Sequence, residues 1–311
     1  SEIMPLITLF TAPKPFLDPH IKVIQENTLD NWLALGDAVQ VVVIGDEPGI
    51  AEACAERGIL HLPDVCCNKV GTPLISSIFQ LARDVNESPF LMYSNSDILF
   101  FPELSSVVEG LASKTDRFLG VGERWDLDLD HPVDFLMDWE KSLRAEIQMS
   151  GKRHKRTGSD YFIYPRSCFK EIPDFAVGRA GWDNWMIFNA RWQDCPLVDL
   201  SKGLTVVHQN HDYGHLPDGI IHYYQPETEE NVKLAGGRRT MFTLSDHTYT
   251  FDGVQLTRKK LNWQAFWREV EIFPLVRLHS HALGFLFFSI FHPLKAFREL
   301  RGRLKYKVSK K

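Results

Sequence analysis

The chain has 311 residues, of which 44% are hydrophobic and 24% charged, so its composition is that of an ordinary globular protein. Its formal net charge of −5 is unevenly distributed. Residues 295–311 hold eight Lys or Arg and one Glu, a charge of +7, which leaves −12 on the rest. An acidic body with a basic tail argues against a nucleic-acid-binding core, which would carry its positive charge across a folded face.

The cysteines and the first residues bear on the cellular compartment. The five cysteines are odd in number and show no CxxC or paired spacing, which predicts reduced thiols and no disulfide framework. The opening segment SEIMPLITLF has no basic stretch and is short, so we expect no signal peptide there. Both observations predict a cytoplasmic protein.

Strands and helices alternate through the first 120 residues. Apolar strand patterns lie at PLITLFTA, VQVVVIGDE and PFLMYSNSDILFF, and helical patterns at PHIKVIQENTLDNWLAL, PGIAEACAERG, GTPLISSIFQLARDV and PELSSVVEGLASK. Strands that are apolar on both faces indicate a mainly parallel sheet covered by helices on both sides. Ligands of such sheets bind beyond the carboxyl ends of the strands, which here carry Thr11, Asp46 and Asn95-Ser96-Asp97.

The sequence becomes more polar and more aromatic after about residue 120. It predicts a helix near 132–147, a strand at SDYFIYPRSCF, a helix at GWDNWMIFNARWQD and a pair of strands in LVDLSKGLTVVHQNH. We find no internal repeat.

Aromatic residues are dense between 261 and 294. The apolar run ALGFLFFSIF is too short to span a bilayer as a helix, which takes ~20 residues. One interpretation is that it lies in a membrane interface, with 282–311 against anionic head groups on the cytoplasmic face. The other is a C-terminal helix pair packed on the body. The eight basic residues beside the aromatic ones favour the first.

Residues 90–101, FLMYSNSDILFF, place a polar SNSD string between two apolar runs. A carboxylate with a neighbouring oxygen donor at the end of a strand can hold Mg²⁺ or Mn²⁺, which prefer oxygen ligands and bridge to a diphosphate. The same string is also common in turns that end a strand. Its position after an apolar strand of a parallel sheet strengthens the case for a metal site, and both interpretations stay open here.

The segment VVHQNHDYGH places His208, His211, Asp212 and His215 close together. The spacing permits a zinc site, but no cysteine or HExxH-type partner supports one. A single imidazole that completes an oxygen-rich metal site is the more economical interpretation. Histidines in a polar surface loop remain the alternative.

The segment GRAGWDNWMIFNAR places Asp183 and Asn184 at the start of a helix whose apolar positions point inward. Asp183 is either a capping residue or a general base. The partly apolar setting between two Trp rings would raise the pKa of its carboxyl and suit the second role.

Taken in order, these groups resemble glycosyltransferases of the GT-A fold, especially the large inverting family 2 group. The resemblance covers roughly 3–212 and is strongest over 157–211. There TGSDYFIYPRSCFKEIPDF, GWDNWMIFNAR and LTVVHQNH look like the acceptor-side strand, the catalytic helix and the closing strand. PLITLFTA, VVVIGDE and NKVGTPLISSIFQLAR resemble the donor half, and SNSD stands in the place of the DxD metal motif.

The resemblance implies a role for each matching residue. Asp97 would coordinate Mn²⁺ or Mg²⁺ on the donor diphosphate, His208 would face the metal or phosphate, and Asp183 would be the catalytic base. The other implied contacts are with the nucleotide, at Thr8, Phe10, Thr11, Asp46, Gly71, Asn95 and Ser96, and with the acceptor, at Asp160, Trp182 and Asn184. In two places the chain departs from the family: Asn95 replaces the first Asp of DxD, and Asn184 replaces one carboxylate of the usual catalytic pair.

The implied reaction moves a hexose or pentose from a UDP- or GDP-linked donor to a hydroxyl of a glycan or lipid-linked acceptor. It would be a single displacement with inversion; in a retaining enzyme Asp183 would only orient the acceptor. The implied fold is α/β of GT-A type, with a catalytic domain at 1–220 divided into a donor half (1–120) and an acceptor half (121–220). A loop-rich connection at 221–260 and a helical region with a basic tail at 261–311 would follow.

Two other functions stay open. A sugar nucleotidyltransferase would share the sheet and the ligand, but FTAPKPFLDPH after the first strand is not the glycine-rich loop that holds a triphosphate. A non-catalytic carbohydrate- or membrane-binding protein on a degenerate transferase fold is kept open by Asn95.

Overall fold

The computed structural model describes residues 4–211 and 226–309, and of 302–309 it describes the backbone alone. The strands in this part of the chain are β1 (Ile7–Thr11), β2 (Val39–Ile44), β3 (Leu60–Leu62), β4 (Phe90–Ser94), β5 (Ile98–Phe100), β6 (Leu119–Val121), β7 (Trp125–Leu127), β8 (Lys152–Arg153), β9 (Tyr161–Pro165), β10 (Leu197–Asp199), β11 (Val206–Gln209), β12 (Tyr249–Phe251) and β13 (Leu256–Arg258). The helices are α1 (Pro19–Leu33), α2 (Ile50–Arg57), α3 (Ile75–Asp84), α4 (Glu103–Ala112), α5 (Trp139–Ser150), α6 (Trp182–Trp192), α7 (Pro226–Leu234), α8 (Trp263–Val276), α9 (His281–Phe291) and α10 (Pro293–Ser309), with 3₁₀ turns at Arg238–Thr240 and Leu244–Asp246.

The central sheet has the order β13-β12-β10-β6-β9-β4-β1-β2-β3. Its neighbouring strands are parallel, except that β9 is antiparallel to β4 and β6, and β13 is antiparallel to β12. The predicted α/β fold with a mainly parallel sheet is confirmed.

Helices cover both faces of this sheet because successive side chains of a strand point to opposite sides. Along β1, Leu9 belongs to a core that includes Trp32 of α1 and Leu104 of α4. Its neighbour Phe10 belongs to the opposite core, with Phe79 of α3 and residues of α6. The fully apolar strands predicted from the sequence are therefore strands buried on two sides.

The stretch FLMYSNSDILFF divides between two sheets, so the prediction of a single strand there is wrong. β4 ends at Ser94 in the central sheet, and β5 begins at Ile98 in a second sheet of order β5-β11-β7-β8. The backbone N–H of Asn95 donates to the backbone carbonyl of Asp160 at 2.8 Å, and the backbone N–H of Gln209 donates to the backbone carbonyl of Asp97 at 3.0 Å. These bonds anchor the turn to both sheets.

Side chains of α1 hold the second sheet in place. The buried Asn31 amide accepts from the Phe100 N–H at 2.8 Å and donates to the Phe100 carbonyl at 3.0 Å. The indole of Trp32 donates to the carbonyl of Ile98 at 2.9 Å. Because β5 follows the SNSD turn directly, these contacts also determine where Asp97 lies.

Two segments differ from the predicted organisation. β12 and β13 lie within 221–260, predicted as a loop-rich connection, and extend the central sheet beyond β10. Strands of three residues are too short to show a reliable alternation in the sequence.

The helix expected near 132–147 is α5, which begins later than predicted, at Trp139. The preceding residue, Asp138, has a left-handed backbone conformation with φ of 50°.

The C-terminal helices pack on the body through one face. Ile272, Leu275 and Val276 of α8 join the core that contains α6, and Glu269 of α8 pairs with Arg191 of α6 at 2.7 Å. The packed helices predicted as the alternative for this region are therefore present. Among the described residues, no helix is both long and apolar enough to cross a bilayer.

We predict that Asn31→Ala lowers the free energy of unfolding by about 3 kcal/mol, because it leaves the buried N–H and carbonyl of Phe100 without partners. Urea unfolding followed by tryptophan fluorescence measures this loss. Gln80→Ala, which removes an exposed amide bonded to Asp84, is the control and should change the free energy by less than about 0.5 kcal/mol. Equal losses in the two variants would contradict the role given to Asn31.

Candidate functional site

Asp97, His208 and His211 form a compact cluster of potential metal ligands, with one ligand atom from each lying within 4.8 Å of the others. Nε2 of His211 is 2.9 Å from Oδ2 of Asp97, and Nε2 of His208 is 3.6 Å from the same oxygen. The three side chains are largely buried, with exposed fractions of 15% for Asp97, 11% for His208 and 7% for His211.

The register of the second sheet brings these residues together. On β11, His208 is the partner of Ile98 in antiparallel β5 and of Asp126 in parallel β7. Asp97 immediately precedes Ile98, so its carboxylate faces the imidazole of His208. His211 follows β11 by two residues and reaches the same carboxylate oxygen.

Charge compensation favours the ionised forms of Asp97 and His208 in this buried cluster. Burial opposes the charge on Asp97, but the nearby His208 cation and the hydrogen bond with His211 hold the pKa of its carboxyl well below the usual range. Burial also opposes the charge on His208, yet Asp97 and Asp126 raise the pKa of its imidazole to about 9. Asp97 also attracts the ammonium of Lys14, whose pKa burial lowers.

A layer of charged groups lies behind His208. Nδ1 of His208 is 3.1 Å from Oδ1 of Asp126, although without the angle of a hydrogen bond. Asp126 also pairs with His154 at 2.8 Å and with Nε of Arg124 at 3.0 Å, and Arg124 bonds the carboxylate of Asp160. Burial would raise the pKa of Asp126, but these histidines and Arg124 hold it below its usual range.

The cluster fits a divalent cation. Oδ1 of Asp97 is buried and has no hydrogen-bond partner within the described part of the chain, which leaves its lone pairs for an ion. Once His208 loses its proton, as ligation of a metal requires, one carboxylate oxygen and two imidazole nitrogens form a mixed donor set, which suits a transition metal such as Mn²⁺ better than Mg²⁺. Asp126 behind His208 has the position of a carboxylate that orients a histidine ligand.

Asp183 lies in the first turn of α6. The N-cap is Gly181, with φ of 109°, so Asp183 is not the capping residue. The preceding Trp182 packs edge-on against Tyr93 of β4 with 5.0 Å between ring centroids. Since the Tyr93 hydroxyl donates to Oδ1 of Asn95 at 3.2 Å, the start of α6 adjoins the carboxyl end of β4.

The Asp183 carboxyl is poised to exchange a proton near neutrality. Burial and the neighbouring charge of Asp160 raise its pKa to about 6, against the opposing effect of the backbone N–H of Asn184. A carboxylate of this kind can act as a general base at pH 7.

Two residues predicted to contact the nucleotide lie in the core. Thr8 is fully buried, and its hydroxyl bonds the side chains of Asn86 and Ser88 at 2.9 and 2.6 Å. Phe10 is also fully buried, 5.0 Å between centroids from Phe79. We correct both to structural residues, because neither side chain reaches solvent.

The other predicted nucleotide contacts lie at or beyond strand ends. Thr11 ends β1 with a buried hydroxyl that has no partner among the described residues. Asp46 is exposed just after β2, and Ser96 donates to Oε1 of Gln25 at 2.9 Å. Gly71 lies in an exposed turn with φ of 88°, a backbone conformation that favours glycine.

The predicted acceptor residues have different settings. Asp160 lies beside Asn95, whose Nδ2 donates to its Oδ1 at 3.2 Å. Asn184 donates to the carbonyl of Phe242 at 2.8 Å and so ties α6 to the segment before the last strands. Trp182 is 5% exposed and packs among aromatic rings, so we correct it to a core residue. Asp212 and His215 lie outside the described residues.

The residues that support the cluster are not among those predicted from the sequence. They are Arg124, Asp126 and His154, and His211 is a further potential ligand beside the predicted His208. The segment RWDLDLDH does alternate between apolar and acidic residues, a strand signal that could have placed Asp126 beside another strand. The partner strand, however, is not visible in the sequence.

No family model matches this chain, and neither does any curated protein. Its fold is similar to that of glucosyl-3-phosphoglycerate synthase from Mycobacterium tuberculosis in complex with Mn²⁺, UDP and glucosyl-3-phosphoglycerate, at 15% identity over 67% of this chain and 73% of that chain, with a TM-score of 0.39. The same synthase with Mn²⁺, UDP-Glc and phosphoglyceric acid gives 12% identity, 75% and 80% coverage, and a TM-score of 0.44.

A mannosyltransferase from Pyrobaculum calidifontis in complex with GDP-Man and Mn²⁺ is 12% identical over 68% of this chain and 59% of that chain, with a TM-score of 0.44.

We predict that Asn95→Asp destabilises the metal-free protein by about 1–2 kcal/mol, because it replaces a donor to Asp160 with a second carboxylate in a low-dielectric site. Urea unfolding in the presence of a chelator measures this. Asn95→Ala removes the same hydrogen bond without adding charge, and it should be the less damaging change. If the aspartate variant were as stable as the wild type, Asn95 would not be needed as a donor.

Proposed function

We propose that this protein is a glycosyltransferase of GT-A type, which moves a sugar from a nucleotide-diphosphate donor to a hydroxyl acceptor. The observation that carries the proposal is the buried Asp97–His208–His211 cluster at the carboxyl edge of a parallel sheet. Asp97, Asp160 and Asp183 all act electrostatically on the phenol of Tyr93, so a potential metal ligand and a potential base occupy one region. A diphosphate and a hydroxyl could be held there together.

The residues of the cluster would hold Mn²⁺ or Mg²⁺, which as a Lewis acid would stabilise the charge on the departing nucleoside diphosphate. The chain itself keeps Asp97 ionised and supports His208 through Asp126 and Arg124. Asp46 and Ser96, just after β2 and in the SNSD turn, are the proposed nucleotide contacts. Thr11 is as buried as Thr8 but is kept as a proposed contact, because its hydroxyl has no partner among the described residues. Asn95 would act by orienting Asp160 rather than as a metal ligand.

Asp183 would take the proton from the acceptor hydroxyl, whose oxygen would attack the anomeric carbon as the bond to the diphosphate breaks. This single displacement would invert the anomeric configuration. Asp160, already bonded by Arg124, and Asn184 would line the acceptor side. The acceptor is proposed to be a glycan or a lipid-linked sugar, and the transferred group a hexose or pentose.

The proposed division of the chain follows from where these residues lie. The donor half, 1–120, contributes the SNSD turn, and the acceptor half, 121–220, contributes α6 and β11. We further propose a cytoplasmic enzyme that works at a membrane surface. All five cysteines are free thiols, which is consistent with a reducing compartment.

We predict that Asp97→Asn abolishes measurable Mn²⁺ binding, and that Asp126→Asn, which acts through His208, weakens it by about 10–100-fold. Titration calorimetry with Mn²⁺, alone and with UDP or GDP, makes the measurement. Asp130→Asn, an exposed acidic residue on the same segment, is the matched control and should bind Mn²⁺ like the wild type. Unchanged Mn²⁺ affinity in Asp97→Asn would refute the proposed metal site.

We predict that Asp183→Asn lowers kcat by about 10²–10⁴-fold, the usual contribution of a general base. In the wild type, activity should rise as the pH increases through about 6, because the base acts only when deprotonated. The assay is release of UDP or GDP from a panel of nucleotide sugars with Mn²⁺, and the anomer of the product is read by NMR.

Asp194→Asn, just beyond the other end of α6, is the control and should keep wild-type kcat. A retained anomer, or wild-type kcat in Asp183→Asn, would assign Asp183 to acceptor orientation only. If no nucleotide sugar is turned over while Mn²⁺ and a nucleotide still bind, the protein is a binding module on a transferase fold.

A further inference from the structure

The three C-terminal helices bury only one side each. In α9 the buried positions are Gly284 and Phe288, four residues apart, and Gly284 faces Leu275 of α8 so closely that a Cβ there would lie 3.0 Å from its side chain. In α10 the buried position among the described side chains is Ala296. The packing onto the body therefore leaves the opposite sides of these helices to the solvent.

These opposite sides are strongly apolar. In α9 the exposed Leu283, Leu286 and Ile290 follow the i, i+3, i+7 spacing of one helical face. Twelve of the 22 exposed large hydrophobic side chains of the described chain lie between 261 and 300. Besides the three of α9 just named, these twelve are Leu261, Trp263, Phe266, Trp267, Phe273, Leu278, Leu294, Phe297 and Leu300. Such a concentration of exposed apolar side chains marks an interaction surface.

The charges on the same helices are segregated. The three acidic residues of 259–301 all pair with cations: Glu269 with Arg191, Glu271 with Arg268, and Glu299 with Arg239. Of the exposed cations of this region, Arg277 pairs with Asp194 at 2.6 Å, and among the described residues no carboxylate lies within ion-pair distance of the other four, which are Lys260, Lys295, Arg298 and Arg301. The sequence adds five more Lys or Arg in 302–311.

We infer that the exposed sides of α8, α9 and α10 form a surface that docks on a lipid bilayer containing anionic lipids. Apolar and aromatic side chains on one side of short helices, with cations beside them and no free carboxylate, suit helices that lie in the interface plane. The long stems of Lys and Arg allow their charges to reach lipid phosphates while the apolar residues insert. The inference gives the proposed membrane location a surface and a partner, and it does not depend on transferase activity.

The charge pattern favours lipid over a second copy of this chain. Two copies that met through this surface would bring their unpaired cations together, and no carboxylate of the surface would offset them. Anionic head groups supply that compensating charge, and the acyl region takes up the apolar side chains.

Flotation of the full chain with lipid vesicles tests this surface. We expect binding to vesicles of phosphatidylcholine mixed with phosphatidylglycerol, with about tenfold or more weaker binding to phosphatidylcholine alone. High salt should weaken the binding to mixed vesicles, since it screens the attraction of cations to the head groups.

Two double variants test the two parts of the surface. Leu286→Asp with Ile290→Asp places charge on the apolar face, and Lys295→Glu with Arg298→Glu reverses the cations. Each should reduce binding to mixed vesicles by about tenfold or more. The matched controls, Leu136→Asp with Met137→Asp and Lys114→Glu with Lys170→Glu, change exposed residues elsewhere and should bind like the wild type.

Circular dichroism and Mn²⁺ binding confirm that each variant is folded. The inference is overturned if the wild type does not bind mixed vesicles, or if the controls lose as much binding as the surface variants. A third result also overturns it: the wild type does not bind vesicles, light scattering shows that it is a dimer, and the double variant Leu286→Asp with Ile290→Asp is a monomer. Loss of vesicle binding with unchanged transferase activity would leave the proposed reaction intact.

Discussion

The organisation of the candidate site depends on one buried carboxylate. Taking the charge of Asp97 out of water is unfavourable unless nearby charges and hydrogen bonds compensate it; His208 and Lys14 provide the charge and His211 a hydrogen bond. His208 is held in turn by Asp126, and Asp126 by His154 and Arg124. Every member of this chain of charges would be destabilised by the loss of its neighbour. Oδ1 of Asp97 is buried and has no hydrogen-bond partner among the described residues, so this oxygen is where the network could accept a cation.

The position of Asp97 follows from a change of sheet within a few residues. β4 belongs to the central parallel sheet and β5 to the second sheet, and the SNSD turn between them is bonded to both. α1 holds β5 through Asn31 and Trp32, while antiparallel β9 brings Asp160 beside Asn95. A polar turn at this junction can present its side chains to a ligand without breaking a strand ladder. This explains why the turn is polar between two fully buried apolar runs.

Much of the fold could be predicted from the sequence, because its signals are local. Apolar strands alternate with amphipathic helices over residues 1–120, and such a pattern forms a covered parallel sheet whatever the distant residues are. Asp97 and His208 could be singled out for the same reason, since each closes or follows an apolar strand. Thr8, Phe10 and Trp182 were misplaced because a strand or helix pattern does not tell which side chains face a ligand and which face a core. Asp126, His154 and Arg124 were missed because their importance lies in contacts over long sequence separations.

The sequence by itself determined the α/β class, the carboxylate at the end of a buried strand, the acidic residue in the first turn of α6 and the basic, aromatic C-terminal region. These depend on periodicity and on composition, which act over a few neighbouring residues. Tertiary structure alone decided that His211 joins Asp97, that Asp126 supports His208, and that the C-terminal helices leave an apolar side uncovered. Pairing register and burial are set by the free energy of the whole packed chain, and no short segment contains that information.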